Sequence, residues 1–76
     1  RNDMASYYQE MIREELARRG HIGIDPRHIE GYMRLEHPTL DGLTKTQFKH
    51  EVHIAVLCVK HDGIANAEAN ARSFGL

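Results

Sequence analysis

Cysteine occurs only once in these 76 residues, proline only twice, and the charges nearly cancel to a formal net charge of −1. A lone Cys58 excludes an internal disulfide, so no covalent cross-link within the chain can hold the fold. Within the apolar run IAVLCV its thiol is expected to be reduced and buried, which fits a reducing, cytoplasmic setting. With two prolines, no low-complexity tract, 41% hydrophobic and 28% charged residues, the composition is that of a folded globular chain rather than a disordered one. A charge of −1 provides no whole-chain field to draw the protein to nucleic acid or to an anionic membrane. No apolar run approaches the ~20 residues of a membrane span, and no leader precedes a cleavage site, so no membrane partner is expected. Residues 1–3, ahead of Met4, are taken as a cloning remnant, leaving residues 4–76 as a single domain at the small end of the self-folding range.

What is present is helical periodicity. Tyr8, Met11, Ile12 and Leu16 recur at helical spacing, predicting a first helix from about Ala5 or Ser6 to Arg19, with Ser6 and Gln9 as a capping box and Gly20 as its stop. Asp25 as N-cap, Pro26 at the first helical position and Ile24 placed to staple on Ile29 open a second helix that should end near Glu36. Gly31 in its interior either weakens it or lets a neighbour approach closely. Pro38 and the PTLDG stretch read as a loop. Thr44 and Gln47 match a capping box, and Leu43 can pack on Phe48, starting a third helix that runs to about His61. Asp62 and Gly63 interrupt the chain before a fourth, alanine-rich helix closed by Gly75. The expected fold is therefore all-α, a small bundle of four short helices. Its core should hold Ile12, Leu16, Ile29, Met33, Phe48, Val52, Ala55, Val56, Val59 and Phe74.

The third helix carries two stripes. Advancing about 100° per residue, Phe48, Val52, Ala55, Val56 and Val59 fall on one side, while His50, Ile54, Leu57 and His61 gather on the other. One explanation is a central third helix, sandwiched between the first two helices and the fourth. The other is an open apolar face rimmed by histidines, used for self-association or for a protein partner. Ile64, Ala67, Ala71 and Phe74 give the fourth helix only one narrow apolar face, enough to cover one side of the third. The expectation is thus a non-enzymatic interaction module, a homodimer or hetero-partner contact centred on His50, Ile54, Leu57 and His61. Protonation of the two histidines below about pH 6.5 should then weaken association.

No constellation of catalytic residues is apparent, and neither a metal nor a cofactor is expected. His50 and His53 stand three apart, and the string HEVH is one residue too short for the zinc-protease pattern of histidines at i and i+4. Cys58 has His61 within helical reach but no third group to orient it. No glycine-rich phosphate loop or calcium-loop spacing occurs. The alternative from a different class is DNA binding, through Arg13, Arg18 and Arg19 of the first helix with Lys45 and Lys49 near the start of the third. Against it, the segment from His37 to Leu43 exceeds the about 3 to 4 residues of a helix-turn-helix connection, and glutamates interleave with the basic residues.

Overall fold

In the computed structural model, which describes residues 3–76 with side chains from Tyr7 onward, the chain forms α1 (Asp3–Arg18), α2 (Pro26–Glu36), α3 (Lys45–Asp62) and α4 (Ile64–Ser73). No strand occurs among the described residues, and the protein is a small all-α domain. Arg1 and Asn2 lie outside the described residues.

Local chemistry sets the helix ends. Asp25 accepts a hydrogen bond from the Arg27 amide at 2.9 Å and Pro26 takes the first helical position, where its missing N–H is no loss. The Thr44 hydroxyl accepts from the Gln47 amide at 3.1 Å while the Gln47 side chain accepts from the Thr44 amide at 2.9 Å, a complete capping box. At the end of α1 the His21 amide reaches back to Leu16 O and the Gly20 amide to Ala17 O; at the end of α4 the Leu76 amide reaches Ala71 O and the Gly75 amide Arg72 O. Both are Schellman closures, and both need the positive φ that Gly20 and Gly75 adopt. Gly63 ends α3 and starts α4 by itself: its N–H donates to Val59 O at 2.9 Å and its carbonyl accepts from the Ala67 amide at 3.1 Å. Its φ of 94° and ψ of 166° belong to a region essentially reserved for glycine.

The start of α1 differs from expectation. The helix begins at Asp3, so Ser6 is inside it and is not an N-cap, and the Gln9 side chain donates instead to Glu30 of α2 at 3.2 Å. The PTLDG stretch is also more ordered than a plain loop. Leu40–Gly42 forms a 3-10 turn that drives Leu40 into the core, where it is 2% exposed.

Nine of the ten expected core residues are buried. Phe74 is the exception at 37% exposed, because it stands at the C-cap of α4, past Ala71, the last residue that α4 buries. Tyr8, Tyr32, Leu40, Ala67 and Ala71 join the core. The enclosed helix is α2 rather than α3: five consecutive residues, Ile29, Glu30, Gly31, Tyr32 and Met33, are buried as α1, α3 and α4 pack around it. The sandwich that was one of the two explanations for the stripes of the third helix does not form, because α4 lies mainly on α2.

Gly31 makes that packing possible. A Cβ there would stand 2.8 Å from the Ala71 backbone nitrogen and 3.0 Å from its Cα, so the two backbones meet with no room for a side chain. Gly31→Ala should therefore destabilise the fold by about 1 to 3 kcal/mol, overpacking outweighing a gain of up to ~1 kcal/mol in helix propensity. Gly42→Ala, which meets open space at an ordinary φ, should show no such loss. Urea unfolding of both variants checks this, and a Gly31→Ala protein as stable as the wild type would contradict the close contact.

Candidate interaction surface

Because α4 goes to α2, the side of α3 opposite its core stripe is left open. Phe48, Val52, Ala55, Val56 and Val59 are buried, whereas His50 and His61 are exposed, Leu57 is 53% exposed and Ile54 is half-buried. These four residues share one face of α3, but Ile54 and Leu57 are not equivalent. Ile54 lines a shallow cleft of about 260 Å³ between α2 and α3, together with Leu35, Cys58 and the carboxylates Glu36 and Glu51. Leu57 lies beyond that cleft.

Leu35, 53% exposed, extends the apolar surface onto α2 and was not anticipated from sequence. The available signal was its displacement from the stripe of Ile29, Tyr32 and Met33. Around the patch, His37 Nε2 approaches Glu51 Oε1 at 3.5 Å and His61 Nδ1 approaches Asp62 at 2.9 Å. Asp62 also accepts from the Tyr32 hydroxyl at 3.1 Å, and His61 first, then Tyr32, hold its carboxyl below the usual carboxylate range. Burial, with help from Asp62 and Glu36, pushes the Cys58 thiol up, away from the reactive thiolate.

The basic residues are divided. Arg18 and Arg19 both reach back to Glu15, each with a contact of 2.6 Å, and Glu15 is only 5% exposed. Arg34 holds the fully buried Glu30 at 2.8 Å and caps the ring of Tyr8, its guanidinium 5.6 Å from the centroid. Arg27 is bound to Asp25. Arg13, Lys45 and Lys49 are exposed. Arg18, Lys45 and Lys49 come together along one groove between α1 and the start of α3, while Arg13 and Arg19 do not line it.

The histidines do not converge. Among the described residues, no three His, Cys, Asp or Glu side chains are gathered where they could hold one metal ion. His50 projects outward, while His53 is half-buried with Nδ1 unpartnered. His21 receives a hydrogen bond from Lys60 Nζ at 3.5 Å if its Nδ1 is unprotonated. Burial first, then Lys60 and His53, push His21 below its ordinary value.

The Glu15 clamp sets an acid limit on stability. Arg18 above all, with Arg19, pulls the Glu15 carboxyl from an ordinary 4.5 down to about 2, against burial, which acts upward. Its folded-state value is depressed, so the stabilisation is present above pH 4.5 and is lost as the pH falls from there toward 2. Glu15→Gln should lose about 2 kcal/mol at neutral pH, with the gap to wild type narrowing toward about pH 2.5. Urea midpoints across that range test it; a gap independent of pH would show that Glu15 acts through packing alone.

No protein-family model, curated protein or solved structure matches this chain.

Proposed function

We propose that this chain is a small, non-enzymatic protein–protein interaction module that self-associates through the outer face of α3. The observation that carries this reading is the apolar surface of exposed Leu35 and Leu57 with half-buried Ile54, which the protomer leaves only partly covered although its other α3 stripe is fully buried. Half-exposed leucines scattered singly are ordinary surface, but three aliphatic side chains spread over adjoining helices, rimmed by histidines and carboxylates, have the layout of an interface core and its polar rim.

The arrangement also suits a second copy of the same chain. The residues His50, Ile54, Leu57 and His61 are spaced by four, three and four positions, a pattern that reads the same in both directions. A two-fold axis across the middle of α3 therefore sets Ile54 against the partner's Leu57 at the centre and His50 against the partner's His61 at each end, an isologous contact. Burying an aliphatic side chain completely is worth about 1.5 to 3 kcal/mol, and these residues are already partly buried, so the expected dimer is weak and reversible. DNA binding has less behind it, since Arg18 and Arg19 are engaged with Glu15 and Arg34 with Glu30.

Sedimentation equilibrium should show the wild type dimerising at high micromolar concentration and Leu57→Glu remaining monomeric. Leu57 is exposed already, so the substitution should leave the melting temperature nearly unchanged. A wild type that stays monomeric at high concentration at pH 8 would end the self-association reading.

A further inference from the structure

The cleft between α2 and α3 differs from the groove beside α1 in the sign of its charge. That groove is the larger, at about 490 Å³, but its charged lining balances, Glu14, Glu15 and Asp41 against Arg18, Lys45 and Lys49. The cleft, of about 260 Å³, does not balance: among the described residues, the charged side chains that line it are Glu36 at the end of α2 and Glu51 in α3. Among the described residues neither carboxylate meets an arginine or lysine, whereas Glu15, Asp25 and Glu30 are each held by at least one arginine. Glu51 has His37 Nε2 at 3.5 Å, which answers its charge only when the imidazole is protonated. With its side chain only 18% exposed, Glu51 is poorly screened by water and salt. A negative field also reaches the Cys58 thiol in the cleft wall, which burial first, then Asp62 and Glu36, push up.

The surface open to a ligand here is aliphatic. Tyr32, Met33 and Ala55 close the bottom of the cleft, none of them more than 8% exposed, and the Tyr32 hydroxyl is committed to Asp62. The accessible walls are Leu35, 53% exposed, with half-buried Ile54 and Cys58. They present hydrocarbon and a thiol but no open ring face, so a slender alkyl chain gains contact and a stacking ligand does not. The volume lies just below the usual range of about 300 to 1,000 Å³ for small-molecule sites, which suits a short chain. A bare metal ion is a poor match, since among the described residues no three His, Cys, Asp or Glu side chains gather around one point.

We infer that this cleft binds a small aliphatic ammonium ion, its alkyl chain lying against Leu35, Ile54 and Cys58 and its charged head answering Glu36 and Glu51. Ile54 is shared with the α3 face, but the site needs no second copy of the chain, so it is tested on dilute protein, below the concentrations at which dimerisation is expected. Isotope-labelled protein is titrated by nuclear magnetic resonance with hexylammonium, hexanol and hexanoate, which share one tail, at pH 8, above the ordinary range of histidine. Hexylammonium should bind saturably with a dissociation constant of about 3 mM, as expected for a ligand of that size, and shift the amides of Leu35, Glu36, Glu51, Ile54 and Cys58. Hexanol should bind about fivefold or more weakly, and hexanoate more weakly still. The double substitution Glu36→Gln, Glu51→Gln should reduce hexylammonium to the hexanol level while leaving hexanol binding unchanged, which shows the cleft itself intact. Equal affinity of the wild type for hexylammonium and hexanol, unsaturable shifts, or shifts centred on the groove beside α1 would each overturn the assignment.

Discussion

The fold depends on the complete enclosure of α2 between Ile29 and Met33. A helix surrounded on all sides must present something acceptable to each neighbour, and this one does so residue by residue. Ile29 and Met33 supply apolar volume, and Gly31 lets the α4 backbone come within contact at Ala71. Glu30 would be ruinous in that position if left alone. It is tolerated because Arg34, one turn along the same helix, and Gln9 from α1 both donate to it. The same Arg34 reaches Pro38 O at 2.7 Å and the Tyr8 ring, tying the loop after α2 to α1.

These internal ion pairs determine how the surface presents charge. The arginines of α1 and α2 look in sequence like a basic patch, yet Arg18, Arg19, Arg27 and Arg34 each lie against a carboxylate from their own helix or its cap. Their positive charge is largely answered before any partner arrives. The lysines of α3 fall outside this scheme, which is why the groove beside α1 and the open face of α3 differ in character. One is lined by acidic and basic side chains in equal number; the other is aliphatic with histidines at its edges.

The helices were legible because their ends are written in local chemistry. Asp25 with Pro26, Thr44 with Gln47, and Gly20 and Gly75 act within a few residues of chain, so sequence alone carries the signal. The core stripe of α3 was legible for the same reason, since helical periodicity needs no knowledge of the neighbour. What could not be read was which element takes which place. Glu15 and Glu30, each followed by an arginine one turn later, have the same pattern on a solvated face as under a neighbouring helix. Leu40 is buried only because the loop folds back over the core, and the members of the candidate face were identifiable without the fact that α4 would leave them open. The groove was invisible because it joins residues 30 or more positions apart, such as Tyr7 and Lys45.

The single residue between α3 and α4 has a larger role than its size suggests. With no intervening loop, the heading of α4 is fixed by the two dihedral angles of Gly63, and only glycine readily adopts that pair. That heading sends Ala71 onto Gly31 and carries α4 away from Leu57. Whether the chain is a closed bundle or one with an open side is thus decided at a hinge without a side chain. A lineage that changed Gly63 would have to redraw the molecule's outer surface, although position 63 itself touches nothing on it.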